Sequence, residues 1–89
     1  MNADRRKRIA AVSKDISERL EPLLSQIVET LETIRDEEQE AYDNLPESMQ
    51  DGEKGEKMQE AITTLEEVID ALQGVGIEDL PSTLDGAAE

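Results

Sequence analysis

The two amphipathic helical stretches of this chain differ in length, and the mismatch limits how the chain can fold. Apolar residues recur every three or four positions from Ile9 to Leu45, and again only from Met58 to Leu72. At ~1.5 Å per residue, a first helix over about 4–43 is ~60 Å long and a second over about 53–73 is ~30 Å long. The second helix covers only part of the first. We therefore predict an all-α antiparallel helical hairpin whose first helix needs further cover.

The first stretch also carries a seam typical of coiled coils, in which apolar residues repeat every seven positions. One row consists of Leu20, Ile27, Ile34 and Ala41, and the other of Leu24, Leu31, Glu38 and Leu45. Pro22 interrupts this stretch, because proline removes a backbone hydrogen bond and crowds the preceding turn at a cost of ~3 kcal/mol or more. We favour a kink at Pro22. The alternative is a break that folds residues 4–20 back as a third helix.

Local signals define the remaining elements. Asn44 and Pro46 end the first helix, and Gly52 precedes the second, so residues 44–52 are expected to form a turn. The hairpin then occupies residues 1–73. Residues 74–89 contain Pro81, Gly86 and few apolar side chains, which predicts a flexible acidic tail.

The uncovered front of the first helix favours self-association. Four aliphatic residues form its stripe: Ile9, Val12, Ile16 and Leu20. Leaving them in water forfeits several kcal/mol at ~1.5–3 kcal/mol for each buried side chain, in a domain of marginal stability. A second copy supplies the missing cover, so we predict a homodimeric helical bundle. A monomeric three-helix bundle remains the alternative.

Charge is distributed unevenly along the chain, whose formal net charge is −14. Residues 1–19 carry a net +3, including a basic N-terminal patch made of Arg5, Arg6, Lys7 and Arg8. The rest of the chain is strongly acidic, and Tyr42 is its only aromatic residue for base stacking, so nucleic acid is not an expected partner. Pairing of the basic patch with the acidic stretch 36–40 of a second copy would favour antiparallel association.

The composition offers few candidate catalytic residues, and we expect no catalytic, cofactor or metal site. The chain has no His and no Cys, and its serines lack an evident base. Glu37-x-x-Glu40 followed by Glu67-x-x-Asp70 resembles the acidic motif of all-alpha nucleoside triphosphate pyrophosphatases, which implies a Mg²⁺-dependent hydrolase as one alternative. In a chain with 23 acidic residues, such spacing arises readily on a solvated face.

A dense set of acids in the first helix is the better candidate for function. It comprises Glu29, Glu32, Asp36, Glu37, Glu40 and Asp43. Acids one turn apart repel each other, which suggests a face that binds a basic groove by imitating a nucleic-acid backbone. No apolar run is long enough for a membrane span and no signal peptide is expected, so we predict a cytoplasmic protein.

Small acidic helical proteins of tailed bacteriophages and prophages resemble this chain in three runs, which are Glu37–Gln50, Gly55–Met58 and Leu65–Leu72. The turn Asp43-Asn44-Leu45-Pro46-Glu47-Ser48 is the most specific part of this resemblance. That family has no assigned function, so the resemblance implies a context, the bacterial host cytoplasm, and no active site. By analogy it implies an inhibitor or anti-defence factor for a basic host protein. The alternative is a purely structural coiled-coil assembly factor.

Overall fold

A computed structural model describes all 89 residues, and it is built from helices with no strand. The elements in chain order are α1 Ala3–Asp15, a π-helical turn Ile16–Leu20, α2 Glu21–Asp43, α3 Glu47–Gln50, α4 Glu53–Gln73, a 3₁₀ turn Ile77–Asp79 and α5 Leu80–Gly86. The all-α class predicted from apolar periodicity is confirmed.

Helix α1 begins with side-chain capping. The Oδ1 atom of Asn2 accepts a hydrogen bond from the backbone N–H of Arg5 at 2.9 Å, which satisfies one of the free donors at a helix start. Asp4 in the first turn and Lys14 in the last have the charges that favour the two ends of the helix dipole. Residues 3–15 are therefore helical for local reasons.

A π-helical turn lies directly ahead of Pro22. The backbone N–H of Glu21 donates to the carbonyl of Ile16, five residues earlier, whereas an α-helical bond would reach back four. The wider turn is one way to accommodate a residue that has no amide hydrogen and whose ring crowds the turn before it. The helical conformation thus continues past Pro22, and the kink at this residue stays a prediction.

The chain divides into two compact units, which we call the terminal unit and the hairpin unit. The terminal unit comprises Met1–Gln26 together with Val75–Glu89, so it joins the two ends of the sequence. The hairpin unit comprises Ile27–Gly74 and contains most of α2, all of α3 and all of α4.

In the hairpin unit, α2 and α4 run antiparallel. The side-chain amide of Gln59 donates to the Tyr42 hydroxyl at 2.8 Å, and that of Gln73 donates to Glu32 Oε1 at 3.4 Å. Later residues of α4 therefore meet earlier residues of α2, as in the predicted hairpin. The buried side chains of this unit's core are aliphatic: Val28, Ile62 and Ile69.

The buried face of α2 differs in part from the predicted seam. Between residues 27 and 45, six half-buried or buried positions follow steps of three and four: Val28, Leu31, Arg35, Glu38, Tyr42 and Leu45. Glu32 is half-buried beside them. The predicted row containing Leu31, Glu38 and Leu45 belongs to this face. The other predicted row is exposed at Ile27, Ile34 and Ala41, because a helix offers one face to its single neighbour α4.

The connection between α2 and α4 contains a close backbone contact. Gln50 at the end of α3 donates from its side-chain amide to the carbonyls of Tyr42 and Leu45, at 3.2 and 3.3 Å. Gly55, in the first turn of α4, is buried against the backbone of Gln50, and a Cβ at this position would overlap the Gln50 carbonyl group. Gly55 is therefore required by space, and the short α3 occupies part of the predicted turn 44–52.

The terminal unit differs from the flexible tail that composition predicts for residues 74–89. Helix α5 packs on α1, and the 3₁₀ turn packs on α5: Ile77 is buried, Ser13 Oγ donates to the Pro81 carbonyl at 3.3 Å, and Arg6 Nε donates to the Ala88 carbonyl at 2.9 Å. Gly76 adopts a left-handed conformation (φ 68°) directly ahead of this segment, which glycine does at little steric cost. The few apolar residues of the tail are sufficient because α1 offers them an unfilled apolar face.

Replacing Ile77 with Ala should lower the free energy of unfolding by about 2 kcal/mol, because it removes a buried aliphatic side chain. Leu80→Ala is the matched control in the same segment: Leu80 is 42% exposed and Ile77 only 7%. Urea unfolding measures the stability, and amide hydrogen exchange in α1 should accelerate for Ile77→Ala alone. If the two variants have the same free energy of unfolding and the same hydrogen exchange in α1, residues 75–89 do not pack on α1.

Replacing Gly55 with Ala should lower the free energy of unfolding by about 2 kcal/mol, because the added methyl group forces α3 and α4 apart. Gly86→Ala serves as the control, since a Cβ at position 86 meets no atom within 4 Å. Thermal unfolding monitored by circular dichroism compares the two variants. A Gly55→Ala protein as stable as Gly86→Ala would contradict the close contact with Gln50.

Candidate interaction surfaces

Five of the six predicted partner-binding acids lie on one face of α2, in the hairpin unit. They are separated by steps of three and four and form what we call the acidic row: Glu29, Glu32, Asp36, Glu40 and Asp43. Glu37 is also exposed, but its spacing from Ile34 and Ala41 places it on the apolar side of the helix. The structure therefore brings five acids together and separates the sixth.

The acidic row has few internal partners. The Arg35 guanidinium contacts Asp36 through Nε and Nη2, at 3.2 and 3.1 Å from Oδ1, and this is the only salt bridge of the row. Two further members, Glu32 and Asp43, accept hydrogen bonds from the amide groups of Gln73 and Gln39. Glu29 and Glu40 have exposed side chains with no cation beside them. The row is therefore a surface of largely uncompensated negative charge.

The basic N-terminal patch is not a single cluster. Consecutive residues on a helix point about 100° apart, so Arg5, Arg6, Lys7 and Arg8 face different directions around α1. Arg6 binds the Ala88 carbonyl, and Arg8 forms a salt bridge with Asp4 at 3.1 Å. Arg5 and Lys7 have exposed side chains without a salt bridge. Of the four residues, Arg6 forms a hydrogen bond with the chain's own C-terminal segment, a contact that the sequence did not indicate.

The predicted self-association stripe is divided by that segment. Ile9 and Ile16 are half-buried in the terminal unit, whereas Val12 and Leu20 stay exposed at 50% and 41%. The sequence predicted that a second copy would bury this stripe, and residues 75–89 of the same chain bury part of it. Val12 and Leu20 remain in water, together with Leu23 at 52%.

These exposed residues line an apolar groove of the terminal unit. Its lining consists of Val12, Asp15, Ile16, Arg19, Leu20 and Leu23. Asp15 and Arg19 form an exposed i,i+4 salt bridge at 3.7 Å, so the groove contains one acid and one base among its aliphatic side chains. The sequence indicated the stripe. It did not place Leu23 in the groove, although its spacing from Leu20 is helical. We call this surface the apolar groove.

The carboxylates of the pyrophosphatase-like pattern are not gathered into a metal site. No group of three or more acidic side chains in the structure is placed to hold one cation, and this includes Glu37, Glu40, Glu67 and Asp70. None of the helices combines the length and apolar character that crossing a membrane requires.

Comparison with known proteins found no match to this chain among protein-family models, curated proteins or solved structures.

Proposed function

We propose that the protein is a non-enzymatic protein–protein interaction module that presents the acidic row of α2 to a basic partner and inhibits it. The supporting observation is that the row has five carboxylates and only one adjacent cation, Arg35. Neighbouring acids one turn apart, Glu32 with Asp36 and Asp36 with Glu40, repel each other by a few tenths of a kcal/mol per pair. A basic groove would relieve that repulsion.

The spacing of the row suits a protein that normally binds nucleic acid. Five carboxylates between Glu29 and Asp43 extend over ~21 Å of helix, or one negative charge per ~5 Å. One strand of DNA carries a phosphate per ~3.4 Å of axis. The two charge densities are of the same order, so a groove lined with Arg and Lys would accept the acidic row in place of a phosphate backbone.

The biological setting we propose is a bacterial cytoplasm. The turn from Asp43 to Ser48 resembles that of small acidic phage and prophage proteins, and inhibition of a basic host protein is the role that this setting favours. This assignment rests on the resemblance of sequence and on the charge of the acidic row.

We further propose that the protein works as a homodimer. Val12 and Leu20 of the predicted stripe, Ile9, Val12, Ile16 and Leu20, are exposed after the C-terminal segment has packed. A purely structural coiled-coil assembly factor is the second candidate function, and the exposure of Ile27 and Ile34 at heptad spacing favours it. Dimerisation is common to both candidates, whereas binding through the acidic row belongs to the first alone.

Neutralising the acidic row should abolish partner binding. The test variant carries Glu29→Gln, Asp36→Asn and Glu40→Gln, and the control carries Glu60→Gln, Glu66→Gln and Glu67→Gln in α4, so both lose the same charge. Each immobilised protein is incubated with bacterial extract, and bound proteins are identified by mass spectrometry. We expect the native protein and the control to retain one basic, nucleic-acid-binding protein that the test variant loses.

The retained protein should also be released by an excess of DNA duplex, because both ligands occupy one basic groove. If the test variant retains the basic protein as well as the native protein does, or if DNA does not release that protein, inhibition through the acidic row is contradicted. If neither the native protein nor either variant retains a basic protein, the purely structural assembly factor is favoured.

A further inference from the structure

We infer that the apolar groove of the terminal unit is a self-complementary interface, in which two copies of this chain pair with their α1 segments antiparallel. This inference rests on the proposed homodimer and specifies where the copies meet and in which direction. The groove presents Val12 and Leu23 at its two ends, with Ile16 and Leu20 between them. Antiparallel pairing places Val12 of one copy against the partner's Leu23, which closes both ends with apolar contacts.

The salt bridge within the groove determines the direction of pairing. In a parallel pair, Asp15 would face the partner's Asp15 and Arg19 would face the partner's Arg19. In the antiparallel pair, Arg19 comes within reach of the partner's Asp15 on both sides of the two-fold axis. The side chains of Asp15 and Arg19 are 61% and 80% exposed, so both are available for this exchange. Opposite charges that lie near each other across the two-fold axis therefore favour the antiparallel direction.

Net charge determines which unit forms the interface. The hairpin unit holds three basic and fifteen acidic residues, a net −12, whereas the terminal unit holds six basic and eight acidic residues, a net −2. Two hairpin units brought face to face would repel strongly, and two terminal units would repel little. The acidic row belongs to the hairpin unit, so an interface made by the terminal units does not use its carboxylates.

The test exchanges the charges of the groove. Asp15→Arg gives a groove with two bases, and Arg19→Asp gives one with two acids, so each variant alone should raise the dissociation constant of the dimer by about tenfold. An equimolar mixture of the two variants should restore dimers of near-native affinity. Glu53→Lys and Lys57→Glu are the controls, because they break an exposed i,i+4 pair in α4, at 3.3 Å, outside the groove. Sedimentation velocity measures each dissociation constant.

Cross-linking tests the direction in this cysteine-free chain. Under mild oxidation, a mixture of Val12→Cys and Leu23→Cys proteins should form mixed disulfide dimers, and neither variant should cross-link efficiently with itself. Efficient linkage of Val12→Cys to itself would indicate parallel pairing and overturn the inference. The inference would also be overturned if Asp15→Arg and Arg19→Asp dimerise with unchanged affinity, or if the two α4 controls lose as much dimer affinity as they do. Either result would place the interface elsewhere.

Failure of this inference is distinguishable from failure of the proposed partner binding. Arg19→Asp changes the groove and leaves the acidic row intact. If this variant dimerises weakly but still retains the basic protein that DNA releases, the two surfaces act independently. If the groove variants dimerise normally while partner capture depends on the acidic row, the inference is wrong and the proposed inhibition stands. If the exchange behaves as expected and no basic partner is captured, the interface stands without the inhibition.

Discussion

Incomplete burial of aliphatic side chains is the constraint on which the rest of this structure depends. Only Val28, Ile62, Ile69 and Ile77 are buried among the apolar residues, and no large side chain is fully buried. Val12, Leu20 and Leu23 are each about half exposed, so each forgoes roughly half of the ~1.5–3 kcal/mol that full burial of such a side chain contributes. That sum is comparable with a large part of the ~5 kcal/mol at the lower end of domain stabilities. Packing of the C-terminal segment on α1 increases the burial of apolar surface, and the proposed pairing of two copies would increase it further.

Electrostatics then separates the two activities that we assign to the chain. The near-neutral terminal unit is suited to self-contact, because bringing two such surfaces together costs little Coulomb energy. The hairpin unit carries most of the net charge and is suited to a partner of opposite sign. On α2 itself, the acidic row from Glu29 to Asp43 and the apolar positions Ile27 and Ile34 border the buried face on different sides. One helix therefore packs one face, centred on Val28 and Leu31, against α4 and offers solvent two surfaces of distinct chemistry.

Elements specified by nearby residues could be predicted from the sequence. The end of α2 at Asp43 coincides with the stop signal of Asn44 and Pro46, and α4 begins at Glu53 after Gly52. The packing of residues 75–89 could not be predicted, because it depends on contacts such as Ser13 with Pro81, 68 residues apart. The π-helical turn was also missed, since proline can be accommodated in several ways and the choice depends on surrounding packing. Of the candidate surfaces, the sequence identified all five members of the acidic row together with Glu37, but it could not show which half of the apolar stripe the tail would cover.

The solution mass of the chain tests the central claim, that a second copy covers the apolar surface left exposed in the terminal unit. Sedimentation equilibrium should give the native chain a mass near twice 9.9 kDa. Leu20→Asp should reduce it to that of a single chain, whereas Val68→Asp, at a residue of nearly equal exposure in α4 (43% against 41%), should leave the dimer intact. A native chain that sediments as a monomer, or a Leu20→Asp variant that stays dimeric, would contradict the account.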